Sequence, residues 1–357
     1  MSLSEMINQT NSQDIVLHDG LSYVDALTQS IAEKSHGDRI AVATMSLEPT
    51  EEPVNQLLNA MEQAAQRGAE VSLLVDGYAF LVDSESHQFG PLFVPFTTSI
   101  FTHRRKTLAC LAKAGAHVTV TNKPSRYASN PFAGRSHIKG SVINDTAYIG
   151  GPNLHNVDRV DAALEIPNAE LADFVFASLK RLEKTGDART AVQEGQTYFA
   201  DGSSLLLDSG ERQKSYIQSF ARRLIASAQE DDWLLFTTQF VPRGQILQDL
   251  AAAHERGVDV QAIFTPPSGK NAVMSASERF AFHRLRKTFP KGLVKKLILP
   301  STKPVHAKVI ATPRNVLVGS HNFDPRGIQF GTAEIAYACS STELGQKLGE
   351  HILRQCS

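Results

Sequence analysis

One arrangement of five residue types occurs twice in this chain and constrains its fold more than any other feature. The first copy, SHIKGSVINDTAYIGGPNL, supplies His137, Lys139, Gly150, Asn153 and then Glu165. The second, VHAKVIATPRNVLVGSHNF, supplies His306, Lys308, Gly319, Asn322 and then Glu334. Counted from each His, the offsets are +2, +13, +16 and +28 in both copies, which lie 169 residues apart. Such a match implies two related halves that face each other across one site.

The spacing has a physical meaning. Ser141 to Ile149 reads as strand, turn at Asn144-Asp145 and strand, and Val309 to Val318 repeats this around Pro313-Arg314-Asn315. In extended chain, residues i and i+2 project to one face. Each His therefore projects with its Lys, while Ile138 or Ala307 points away. The return strand ends at Gly150 or Gly319, and the following loop brings the Asn back to the start of the hairpin. An imidazole, an ammonium and a carboxamide converging from each copy suit a phosphate group.

The flanks repeat as well. Leu21, Val24, Leu27 and Ile31 mark a helix, Arg39 to Thr44 a strand, Val54, Leu57, Leu58 and Met61 a helix opened by Pro53, and Val71 to Val75 a strand. The second half runs the same way. A helix through Tyr216, Phe220 and Leu224 precedes a strand at Trp233 to Thr237, a helix at Ile246 to Leu250 and a strand at Val258 to Phe264. Each half then adds a basic helix, a strand (His117 to Thr121, Val294 to Leu299) and the motif. Strand, helix, strand implies a crossover and a parallel sheet. The expected fold is therefore α/β, with two duplicated α/β/α halves, 15–185 and 204–357, related by pseudo-twofold symmetry around one active site. The join falls at Thr185 to Ser204.

Composition narrows the setting. At 357 residues and 42% hydrophobic, the chain can fill two cores. A net charge of -1 counts against binding DNA through nonspecific phosphate contacts. Cys110, Cys339 and Cys356 are scattered and give neither a disulfide framework nor metal-ligand spacing. The polar start carries no signal-peptide pattern, and no apolar run is long enough to cross a bilayer. The expectation is a cytoplasmic protein, with peripheral contact at the inner membrane surface.

HxK, a strand pair and G(S/G)xN, twice in one chain, resemble the phospholipase D superfamily, and the resemblance covers nearly the whole sequence. One departure stands out. The family's Asp five residues after the Lys is replaced by Asn144 (with Asp145 next) and by Pro313, all ordinary turn residues.

The resemblance implies a two-step phosphodiester reaction through a phosphohistidine. His137 is expected as nucleophile and His306 as acid and base, a role an imidazole can fill near neutral pH. Lys139, Lys308, Asn153 and Asn322 would hold the nonbridging oxygens. Glu165 and Glu334 would orient the rings through their far nitrogens. Ser320 and its counterpart Gly151 stand where substrate binds, while His155 and His321 read as loop residues. With two lysines on the phosphate, neither a metal nor a cofactor is expected.

A phospholipid is the first expectation for the substrate, acted on as in cardiolipin-synthase-like or phospholipase-D-like enzymes. Supporting it are the near-neutral charge and the apolar segment 77–100, with Phe80, Phe89, Phe93 and Phe96, which could contact a membrane. The alternatives are a nuclease or DNA-end-processing phosphodiesterase, and a noncatalytic lipid- or nucleic-acid-binding module. Two basic clusters, one at His103-Arg104-Arg105-Lys106 and one from Arg284 to Lys296, would border the cleft or form solvated helix faces.

Overall fold

The strand and helix signals of the two halves become two mixed sheets of seven strands each. The computed structural model describes residues 14–80, 99–123, 134–265, 272–289, 301 and 303–356. Most of the apolar segment 77–100, the strand expected at Val294 to Leu299 and the lysines near it lie outside the described residues.

The first sheet holds β1 (Val16–His18), β2 (Arg39–Thr44), β3 (Glu70–Asp76), β4 (His117–Thr121), β5 (Gly140–Ile143), β6 (Thr146–Gly150) and β7 (Ala163–Ile166), in the order β1-β7-β6-β5-β2-β3-β4. Strands β2, β3 and β4 are parallel, whereas β5 returns antiparallel to β2 and continues into the β5–β6 hairpin. Asn144 makes that turn with φ 51°, a conformation Asn tolerates well.

The second sheet holds β8 (Gly195–Tyr198), β9 (Ser204–Ser209), β10 (Trp233–Thr238), β11 (Asp259–Phe264), β12 (Val309–Ala311), β13 (Asn315–Gly319) and β14 (Ala333–Ser340). Its order is β11-β10-β12-β13-β14-β9-β8, so six strands of the first sheet recur in the same neighbourhood. Strand β8 lies inside the expected join and pairs with β9, which assigns it to the second half.

The helices form where the sequence caps them. In α1 (Gly20–Ala32), Asp19 accepts the Ser22 N–H at 2.8 Å and Ser22 returns the contact to the Asp19 N–H at 2.9 Å. With α2 (Glu52–Gln66) and α3 (Ser99–Lys113) it covers the outer face of the first sheet, burying Val24, Leu27, Leu57 and Met61 against Ile40, Val42 and Leu73. Helices α6 (Tyr216–Ser227), α7 (Gly244–Glu255) and α8 (Ala272–Thr288) do the same for the second.

The inner faces share a third core. Val142 and Ile149 of one sheet meet Val309, Val318 and Ile335 of the other, with α4 (Ala169–Thr185) and α10 (Thr342–Cys356) packed in through Val175, Leu179, Leu348 and Ile352. Each such side chain contributes roughly 1.5–3 kcal/mol relative to exposure. Truncating Leu348 to Ala would therefore loosen both halves at once. A short α5 (Ala188–Ala191) precedes β8, and α9 (Pro325–Phe330) lies between β13 and β14. No helix among the described residues is long and apolar enough to cross a membrane.

Candidate active site at the seam between the halves

The segment entering each motif crosses to the other half before its hairpin begins. His137 N–H donates to Ala333 O at 2.8 Å, and Ala333 N–H donates to Arg135 O at 2.9 Å. On the opposite side, His306 N–H and Ala307 N–H both donate to Val160 O, at 2.8 and 2.9 Å, and Val160 N–H donates to Pro304 O at 3.1 Å. A polar side chain at the end of β3, and another just past β11, pins the residue before each His. Asp76 accepts the Ser136 N–H at 2.8 Å, and Thr265 Oγ1 accepts the Val305 N–H at 2.9 Å. Ile138 and Ala307 point into the shared core, so each His and Lys turn towards the seam, as alternation requires.

Both rings are oriented by a carboxylate from the other half. His137 Nδ1 lies 2.8 Å from Glu334 Oε2, and His306 Nδ1 lies 2.7 Å from Asp161 Oδ2. All four groups are buried. Glu334 thus stands in the position expected for it, but Glu165 does not. Its Oε2 meets His18 Nε2 at 2.8 Å, at the edge where β1 pairs with β7.

Strand register explains the discrepancy. Gly150 pairs with Ala163 and Gly319 with Ala336, so Ala163 and Ala336 are equivalent. The orienting acid is two residues before each, at Asp161 and at Glu334. The second loop is longer by four residues and contains α9, and this insertion gave Glu165 and Glu334 the same offset. The glycines are needed for close approach. A Cβ at Gly150 would stand 2.4 Å from Ala162 O, and one at Gly319 would stand 2.3 Å from Ile335 O.

Lys139 and Lys308 lie close enough for their charges to act on both rings. Lys139 Nζ and Lys308 Nζ donate back to the carbonyls of His137 and His306. The Oδ1 atoms of Asn153 and Asn322 are buried with no partner, at matching positions. A buried acceptor left unpaired costs about 1–3 kcal/mol, a penalty more often retained at a working site than in scaffold. Ser320 Oγ donates to Glu334 Oε2. Gly151, its counterpart, lacks a side chain, and a Cβ there would stand 2.0 Å from Asp161 Oδ1. His155 is fixed by Glu51 at 2.7 Å and is structural.

Comparison with known proteins bears on the fold that carries this site. Residues 221–355 match the family described as cardiolipin synthase, PLD-like domain. The second half thus carries a PLD-like domain by its match. The phosphatidylserine synthase of Haemophilus influenzae Rd KW20 superposes with a TM-score of 0.70 at 14% identity, over 98% of this chain and 86% of that one. The polyphosphate kinase of Porphyromonas gingivalis gives 0.55 at 13% identity, over 96% of this chain and 50% of that one. A mutant of yeast tyrosyl-DNA phosphodiesterase gives 0.51 at 12% identity, over 92% and 88%. At these identities the solved structures speak for the fold alone. No curated protein matches the sequence.

Charge and burial in this site pull the titrating groups away from their ordinary values. Burial, reinforced by Lys139 and Lys308, pushes His137 well below the usual imidazole range. Burial, with Lys308 and Arg159, does the same to His306. Lys139 falls well below the lysine range through burial and the charge of Lys308, and Lys308 itself is brought down to about 7, chiefly by burial. Burial raises Asp161 to about 6 despite the opposing lysines, and it raises Glu334 as well. Both imidazoles are therefore neutral, with Nδ1–H donating to the carboxylate and Nε2 left for chemistry.

Three residues of the site were not expected from sequence. Asp161 is the second orienting acid. Arg159, two residues earlier, acts on the charges of His306 and Lys308. His321, expected as a loop residue, is buried, accepts the Phe323 N–H at Nδ1 (2.8 Å) and lies within range of the charges of His137 and Glu334. Of the first basic cluster, Arg104 is buried on Glu48 at 2.7 Å, so it serves the fold, whereas Arg105, Lys106, Arg284, Arg286 and Lys287 lie on exposed helix faces.

Proposed function

We propose that the chain is a phosphodiesterase or phosphatidyl transferase acting on phospholipids through a covalent phosphohistidine. The observation that carries this reading is the reciprocal pair of imidazoles, each held at Nδ1 by a buried carboxylate of the other half beside two buried lysines.

His137 Nε2 attacks phosphorus. The new N–P bond forms as the bond to the leaving oxygen breaks, and His306 Nε2 protonates that oxygen. His306 then takes a proton from water or an alcohol, which attacks phosphorus and releases His137. The arriving diester supplies the negative charge that lets His306 carry a proton and returns Lys308 towards its ordinary basicity. Lys139, Lys308 and the NH2 groups of Asn153 and Asn322 donate to the nonbridging oxygens as their charge grows. Ser320 acts through Glu334 and Gly151 leaves room for Asp161; neither is assigned direct contact with substrate.

A lipid rather than a nucleic acid substrate is supported by the net charge of -1 and by the family match, whose description is that of a lipid synthase. Peripheral membrane contact through residues 77–100 belongs to the same reading and rests on the four Phe of that segment.

The deciding experiment incubates a mixed phospholipid extract with glycerol and EDTA, with a single-stranded oligonucleotide in parallel tubes. Wild type is run beside His137→Ala and His306→Ala, with mass spectrometry as the readout. Phosphatidic acid or new phosphatidyl species, lost in both variants, are expected. Oligonucleotide cleavage with lipids untouched would overturn the lipid assignment. A phosphoryl adduct trapped in His306→Asn should map to His137, and an adduct on His306 in His137→Asn would reverse the two roles.

A further inference from the structure

Arg159 is held at a fixed place beside the His306 segment. On one side its neighbour Val160 is bonded to Pro304, His306 and Ala307 of the other half. On the other, Asp158 receives Lys303 Nζ at 2.6 Å. The Arg159 side chain is half-buried, yet among the described residues its guanidinium makes no hydrogen bond and no ion pair. Other buried or half-buried arginines here are paired, Arg104 with Glu48, Arg135 with Asp76 and Arg326 with Asp324.

A guanidinium carries five donors and cannot shed its charge, so partial burial without an acceptor is costly. The acids nearest it in charge are already engaged. Asp161 holds His306 and the Ala162 N–H, and Glu51 holds His155 and the Asn156 N–H. The matching position in the second half, two residues before Glu334, is Thr332. Position 159 therefore carries a cation beside the His306 segment that its counterpart, 332, does not.

We infer that Arg159 is the seat for a second anionic group of the substrate, on the His306 side of the scissile phosphate. This rests on the phosphodiester reading for the position of the first phosphate. The preferred substrate would carry a further phosphoryl or carboxylate group on the part leaving from, or arriving at, that side. A diphosphate-linked lipid or one with an anionic headgroup fits. The planar fork of the guanidinium suits two oxygens of such a group.

The test is calorimetric binding of inorganic phosphate and pyrophosphate to wild type, Arg159→Ala and Arg159→Lys, and it needs no turnover. Wild type should prefer pyrophosphate by about 10- to 100-fold, the range expected for one charge-assisted contact. Arg159→Ala should lose most of that preference while its phosphate affinity stays within about threefold. Arg159→Lys should retain part of it. Because no protein bond is removed, the melting temperature of Arg159→Ala should stay close to that of wild type. An unchanged preference in Arg159→Ala, an equal loss for both anions, or no preference in wild type would overturn the inference. Failure of the lipid assay with this binding pattern intact would instead count against the lipid reading alone.

Discussion

The half-sites around His137 and His306 make the same contact with different parts. At His137 the orienting acid is the longer Glu334, and Ser320 holds its far end. At His306 it is Asp161, one methylene shorter, and its carboxylate lies so close that residue 151 has no room for a Cβ. What the duplicated fold preserves is the position of the carboxylate oxygens relative to Nδ1, not the residue that supplies them. The two solutions should also differ in robustness. A side-chain clamp can be removed with local loss, whereas the close approach at residue 151 cannot be obstructed without moving the acid itself.

The largest effects should come from the acids. Asp161→Asn and Glu334→Gln preserve shape but no longer favour the Nδ1–H tautomer, and each should lower kcat by about 10³- to 10⁴-fold. Steady-state turnover of the phospholipid that the extract assay identifies measures this. If one variant lost less than tenfold, the two half-sites would not be equivalent partners in the reaction.

Next is the asymmetry itself. Gly151→Ser would place Cβ 2.0 Å from Asp161 Oδ1 and 3.2 Å from His306 O, so the acid must move. Displacements of this order cost about 10²-fold in rate. Ser320→Gly deletes one hydrogen bond to a carboxylate and should cost about tenfold. Equal effects of the two changes would remove the distinction between clamp and close approach.

The pH profile tests the His306 half-site without mutation. Below about 6 Asp161 takes up a proton and no longer accepts from Nδ1, and above about 7 Lys308 loses its charge. The kcat/KM profile should therefore be a narrow bell, falling about tenfold per pH unit beyond each limb. In kcat the alkaline limb should move upward, because the bound anion favours the ammonium form. A kcat limb that stayed near 7 would place Lys308 away from the phosphate.

Much of this was legible in the sequence because extended chain imposes period two and hairpins return at fixed lengths. The placing of each His beside its Lys ahead of a hairpin follows from those rules, and helical spacing with crossover length gave the strand pairs β2–β3 and β10–β11. The second acid did not follow, because a loop has no such metric. Four residues inserted around Pro325–Phe330 brought Glu165 into numerical register with Glu334 while strand pairing placed Asp161 opposite His306. Arg159 and His321 were hidden for the same reason, since both sit in the loops that follow β6 and β13. A short Asp beside Gly151 was the available signal, as it pairs a shorter acid with a missing side chain.

The smallest expected effect bears most directly on that correction. Glu165 is partly exposed, its contact is His18, and its counterpart by register is Ala338. Glu165→Gln should leave kcat within about twofold, in contrast to the loss of about 10³-fold or more for Asp161→Asn. Its thermodynamic cost should be about 1 kcal/mol or less, because the pair it breaks lies at the sheet edge and is screened by solvent. Chemical denaturation measured beside turnover separates the two effects. If Glu165→Gln abolished activity with its stability intact, the acid at the matched offset would be the working one and the register argument would fail.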